Sequence, residues 1–212
     1  MQGEMADVEP QASDFEFSGG LPCLDFVNTL SGRLKDWPRE RLRIYSDLVS
    51  WGRQAGLLSD LEAQRLIREA RRRPAQAAAV LERAVRLREA LYRLFSAAAS
   101  RQAPSEGDLA ALNAVLSIAL GRSRIVPTDG GFGWDWADRE GSLERVLWPV
   151  ARSAAELLTS GELARVRECA ETSCAWLFLD TSRNRSRQWC DMRACGNRVK
   201  ARRHYARRKL GR

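Results

Sequence analysis

Cys169-Ala-Glu-Thr-Ser-Cys174 and Cys190-Asp-Met-Arg-Ala-Cys195-Gly-Asn-Arg198 decide how the last quarter of this chain folds. Four of its five cysteines fall within 27 residues, as two pairs of identical gap separated by 15 residues. That is the layout of a two-knuckle structural zinc site, in which each short loop delivers two thiolates to a tetrahedron. Disulfides are the rival account of paired cysteines, and a reducing compartment argues against them. Four thiolates leave no open coordination position, so the metal is expected to be structural and to do no chemistry. A segment this small and polar buries too little surface to fold alone, and bound zinc supplies on the order of 10 kcal/mol to such units.

The flanks complete a finger. Ala175-Trp-Leu-Phe-Leu-Asp180 alternates as a strand does, residues 181–185 read as a turn, and residues 186–189 are expected to return as a second strand. A helix is expected from Arg198 with Asn197 as its cap. Hairpin followed by helix at the last ligand is a treble-clef-like arrangement. Trp176, Phe178 and Trp189 read as core of this small unit, with base stacking as the alternative.

Charge is divided along the chain. Of 35 basic residues, twelve lie in residues 181–212, against one acid, Asp191, so the remainder is slightly acidic. Such segregation calls for an anionic partner. The expected helix lacks the large apolar second face of a membrane-surface helix, which favours nucleic acid. Arg183, Asn184, Arg185 and Arg187 at the turn, with Arg198, Lys200, Arg202, Arg203 and Arg207 on the helix, are the candidate contacts. Val199, Tyr205, Ala206 and Leu210 are expected to pack on the finger. His204, the one histidine, is expected on the helix surface.

The preceding residues read as helices around one hairpin. Residues 1–18 carry five acids and no periodicity, as a loose acidic arm. The apolar run 21–30 is a buried element that is either strand or helix, and Cys23 within it reads as a small buried hydrophobe. A charged loop follows at 33–40. Helices are expected over 42–54, from the capping box Ser59-Asp-Leu-Glu62, over 75–99 after Pro74, and over 105–120. Residues 124–127 and 132–136 flank a turn-rich spacer and predict a β-hairpin, on which Trp134 and Trp136 offer an interaction surface or core. Residues 142–159 return to helix, with Pro149 as a kink or in the first turn of a second helix. The fold class is therefore mainly α: a helical domain over 19–165 with a small hairpin, then the finger over 166–212.

Function classes are narrowed by what is missing. One histidine, in the basic tail, rules out Ser-His-Asp and HExxH chemistry, and no phosphate loop or GxGxxG occurs, so no catalytic residue is assigned. Asp25, Asn28 and Thr29 form either a small-molecule pocket or a polar anchor tying the first element to the helices. No run reaches the roughly 18 residues of a membrane span, and residues 1–16 are acidic where a signal peptide is basic, so the expected compartment is the cytoplasm.

The residues Cys195-Gly-Asn-Arg198, with Trp176 to Asp180, Ser182-Arg-Asn184, Arg187-x-Trp189-Cys190 and Lys200-Ala-Arg202, resemble the CGNR zinc-finger family. Leu24-Asp-Phe-Val-Asn-Thr29, residues 51–57 and the helix over 151–158 resemble the ABATE domain that precedes this finger. Together the resemblances cover nearly the whole chain. They imply a bacterial transcription regulator, described as stress-induced, whose Zn²⁺ is held by Cys169, Cys174, Cys190 and Cys195 and whose finger binds DNA. With a finger in that role, the helical domain is expected to sense a ligand or to form a homodimer. RNA or ribosome binding, and a zinc-dependent protein-interaction module, are the alternatives.

Overall fold

The computed structural model describes residues 15–137 and 141–210, with residues 207–210 described by backbone alone. The ambiguous apolar run resolves as a short helix, α1 (Pro22–Val27), followed at once by a two-residue strand, β1 (Leu30–Ser31). Pro22 sits in the first turn, where its fixed φ suits a helix and its missing N–H costs nothing. All five other residues of α1 are buried. Burial on every side erases the periodicity that separates helix from strand in sequence.

Helices α2 (Tyr45–Gln54), α3 (Asp60–Arg72), α4 (Pro74–Ala99) and α5 (Glu106–Arg122) follow. At α3 the expected capping box is present: Ser59 Oγ accepts the Glu62 amide at 3.3 Å, and Glu62 accepts the Ser59 amide at 2.8 Å. α2 starts later than its apolar spacing suggests, because Asp47 accepts the amides of Arg43 and Ile44 and sets the entry there. α5 runs through Gly121 rather than stopping at it. The hairpin pairs β3 (Ser123–Thr128) with β4 (Gly131–Trp136), Ser123 opposite Trp136. Pro149 falls in the first turn of α6 (Leu147–Thr159), entered through a 3-10 turn at Leu143–Val146.

The core lies around α4. Val80, Ala84, Leu87, Leu91 and Phe95 of α4 pack in one cluster with Leu24, Phe26 and Val27 of α1 and with Val150, Ala151 and Ala154 of α6. The same cluster takes in Val166, Leu177 and Leu179 from the finger strands. The finger thus shares the hydrophobic core of the helices.

Residues 1–14 of the expected acidic arm lie outside the described residues. Residues 15–18 do not behave as a loose arm: the Phe15 amide donates to Gln54 Oε1 at 3.2 Å and its ring packs against the core. Among the described residues, no helix is long and apolar enough to cross a membrane.

Candidate metal centre and cationic surface

The first knuckle is the turn of a hairpin, but not the expected one. Strand β5 (Val166–Glu168) precedes Cys169 and pairs antiparallel with β6 (Leu177–Leu179), Val166 opposite Leu179. Residues 186–189 form no strand. β5 escapes a reading of the sequence because it is only three residues long and carries two charges, too little for a period of two to register. The ladder runs into the knuckle through Cys169 N to Trp176 O at 2.8 Å, and Cys174 N donates to Glu171 O at 2.9 Å. The reversal back into β6 is taken at Ala175, with φ 57°.

The second knuckle opens a helix. Asp191, the only acid of the basic tail, caps it by accepting the Ala194 amide at 2.7 Å. A wide turn over Met192–Gly196 then leads directly into α7 (Asn197–Leu210). Asn197 has helical angles and is inside the helix, so the expected cap is corrected to Asp191. Aspartate accepts the amides of a first turn as well as asparagine does, and its negative charge also suits the helix N-terminus. Starting the helix here places Cys195 one wide turn beyond Cys190, on the same side.

All four sulfurs lie within 4.8 Å of one another, and all four cysteines are buried. Cys174 Sγ is 3.7 Å from Cys190 Sγ, and Cys190 Sγ is 3.6 Å from Cys195 Sγ. A disulfide needs about 2.0 Å, whereas thiolates at about 2.3 Å from a shared tetrahedral ion stand about 3.8 Å apart. The donor set is therefore arranged for a metal. Hydrogen bonds from the Cys174 and Cys190 thiols pull Cys169 down, and that single thiolate raises Cys174 and Cys190, while burial raises Cys195. A divalent ion bound among the four sulfurs would hold them all as thiolates.

Around the centre, buried carboxylates organise the loops. Asp180 accepts the Ser182 amide at 2.9 Å, the Ser182 hydroxyl at 2.6 Å and the Arg187 amide at 3.1 Å, which shapes the 180–187 loop. Burial opposes its charge, yet these bonds hold its carboxyl below the usual range. Glu171, inside the first knuckle, was not singled out by sequence. Its side chain is fully buried and bridges Arg198 Nη1 at 3.1 Å and Arg202 Nη1 at 2.8 Å. Here too burial works against the charge, and the two guanidiniums with the Ser173 amide hold the carboxyl low. The i, i+4 spacing of the two arginines was readable as a helix face, but the acid that meets it was not.

The candidate contacts divide accordingly. Arg183, Asn184 and Arg185 are exposed at the loop tip, and Lys200 and Arg203 are exposed on α7; none has an acidic partner among the described residues. Arg198 and Arg202 are half-exposed and tied to Glu171. Arg187 turns inward: its guanidinium donates to the carbonyls of Trp189, Ser18 and Cys190 and lies over the Phe178 ring, 4.4 Å from its centroid. The Arg207 side chain lies outside the described residues. Val199 is buried as expected, while Tyr205 and Ala206 are exposed because α7 leaves the finger after its first turns. His204 is on the surface.

Asp25, Asn28 and Thr29 are all buried and internally bonded. Asn28 Nδ2 donates to Leu177 O at 2.8 Å and its Oδ1 accepts Leu177 N at 3.0 Å. Asp25 accepts the Gly19 amide at 2.7 Å, and burial pushes its carboxyl up to about 6. Gly19 must be glycine, since a Cβ there would stand 2.9 Å from the Asp25 backbone nitrogen, and its carbonyl accepts Leu179 N at 2.8 Å. Thr29 donates to Phe26 O at 2.7 Å. These are the hydrogen bonds of an anchor, and it fastens the first helix to the finger strand β6. Cys23 is buried among apolar side chains, with its thiol pushed up to about 12 by burial.

Residues 20–161 match the family ABATE, described as "Putative stress-induced transcription regulator". The chain belongs to the ABATE family. Residues 165–208 match the CGNR zinc finger. No curated protein matches the chain. In this ABATE chain the buried hydrogen bonds between Asn28 and Leu177 join the two matched regions, which are of regulator and zinc-finger type rather than enzyme families.

Proposed function

We propose that this chain is a transcription regulator that holds a structural Zn²⁺ on Cys169, Cys174, Cys190 and Cys195 and binds DNA through the cationic surface that the metal centre fixes. The zinc would cross-link the β5–β6 turn to the start of α7, with no open coordination position. The helical body is the regulatory half, offering the surface for a ligand or for a second copy.

One observation carries the reading: Arg183, Arg185, Lys200 and Arg203 stand exposed, without an acidic partner among the described residues, on the two segments attached to the cysteine cluster. Arg198 and Arg202 are steered by Glu171 and serve first to hold α7 in place. Four phosphate contacts predict that log K falls with log salt at a slope of about −4 on duplex DNA. The test is fluorescence anisotropy of zinc-loaded protein on labelled duplex DNA, single strands and structured RNA across a salt series. Duplex preference supports the reading. Equal or tighter binding to RNA assigns the surface to RNA, and no binding to any of the three leaves the finger a protein-interaction module.

A further inference from the structure

The charged loop between β1 and β2 (Arg39–Glu40) belongs to the helical body, yet it stands against the finger. Between them lies a cleft of about 250 Å³. Lys35, Trp37, Arg39 and Arg41 line it from the loop side, and Trp176 and Arg198 line it from the finger side. Two carboxylates also line it, and both are engaged: Glu16 by Arg41 and Asp191 by the Ala194 amide. Lys35 and Arg39 are exposed and have no acidic partner among the described residues, while Arg41 meets Glu16 at 3.4 Å. Trp37 is 88% exposed, the most exposed large apolar side chain described.

An indole left in water is a cost that the body does not recover by packing. The loop that carries it is nonetheless firmly built. At one end Arg33 donates to Glu89 at 2.6 Å and its guanidinium lies 4.1 Å over the Tyr92 ring. At the other, Arg88, only 1% exposed, grips Glu40 with two bonds of 2.6 and 2.7 Å. Within the loop Gly32 adopts φ +65°, Lys35 N donates to Gly32 O at 2.9 Å, and the Lys35 stem lies over the glycine where a Cβ would stand 2.8 Å from it. Trp176, from the finger, donates its indole N–H to Leu30 O at 3.1 Å and closes the base. Buried ion pairs are costly to assemble and are weak sources of stability, so their effect here is to hold one geometry.

We propose that residues 32–39 form a second part of the nucleic-acid surface: the cleft seats a backbone phosphate between Lys35, Arg39 and Arg198, and Trp37 lies against the neighbouring nucleotide. This inference rests on the nucleic-acid reading above. The cleft is smaller than a typical small-molecule pocket and fits a phosphate-sized group. Its cations are continuous with α7 through Arg198, and an aromatic side chain protruding beside cations is the arrangement that stacks on bases or wedges against a groove. The ABATE region thereby contacts the polymer directly, and whatever moves the body moves half of the binding surface.

The test uses the full zinc-loaded chain and labelled duplex and single-stranded DNA. Trp37→Ala is expected to weaken binding about tenfold at unchanged salt slope, with most of the loss restored in Trp37→Phe. Arg39→Ala is expected to weaken binding several-fold and to reduce the salt slope by about one. Zinc content and circular dichroism confirm that these exposed substitutions leave the fold intact. Lys200→Glu with Arg203→Glu is the control on α7. If that pair weakens binding while both loop variants stay within about twofold of wild type, the finger binds alone and the loop inference is overturned. If the loop variants lose only inorganic phosphate or a nucleoside monophosphate, followed by isothermal titration calorimetry, the cleft is a small-ligand site and the inference is again overturned. Absence of nucleic-acid binding by wild type removes both readings.

Discussion

Asn28→Ala should separate the helical body from the finger. The Asn28 amide is the only side chain described as bonding both backbone groups of Leu177, at 2.8 and 3.0 Å, and both residues are buried. Truncation leaves one N–H and one C=O without a partner beneath β6. Each such group costs about 1 to 3 kcal/mol, so the loss is about 2 to 6 kcal/mol against a total stability of about 5 to 15. For a chain of this size that lowers the melting temperature by roughly 10 °C. Urea denaturation followed by tryptophan fluorescence, with zinc in excess, measures the loss, and hydrogen exchange at the Leu177 amide locates it. Asn28→Asp retains the acceptor but faces the Leu177 carbonyl with a carboxylate, and should lose stability as well. A loss under about 1 kcal/mol, with the Leu177 amide still protected, would refute the claim that this side chain joins the two regions.

Three further outcomes follow from the site. Stripping metal with a strong chelator should release about one zinc per chain and unfold α7 while the helices around α4 stay cooperative, as read by metal analysis and far-UV circular dichroism; a single Cys195→Ser should lower metal affinity. Glu171→Gln should release Arg198 and Arg202, so that DNA binding tightens and its salt slope steepens by about one to two, while the finger loses about 1 to 3 kcal/mol of stability. Asp25 has a carboxyl raised to about 6 in the fold, above its unfolded value, so the folded state binds the proton more tightly and this group's contribution weakens as pH rises from about 4 through 6. Asp25→Asn should therefore gain on wild type by up to about 3 kcal/mol between about pH 4 and pH 7 in paired urea titrations, and an unchanged difference between the two pH values counts against the buried carboxylate.

The cysteine cluster was legible because its information is local: equal gaps, a closed ligand set and an adjacent run of cations need no knowledge of the rest of the chain. The long helices were legible for the same reason, since the capping box at Ser59 and the apolar stripe of α4 are written within a few turns. What escaped were short or fully buried elements. β5 has three residues, α1 is buried on all sides, and neither carries a period. Asp191 and Asn197 both suit a helix cap in sequence, and only the backbone angles separate them.

The amino-acid order by itself determined that four thiolates would gather, that a cationic helix would follow them, and that helices would make the body, because each depends on spacing within one segment. Only the tertiary structure decided which cations are free. Glu171 meets Arg198 and Arg202 across 27 residues or more, Asn28 meets Leu177 across 149, and the loop bearing Trp37 reaches the finger at all, because the core around α4 brings these segments together. Charge in a sequence is only a sum; which charge faces solvent and which faces a carboxylate is set by long-range packing.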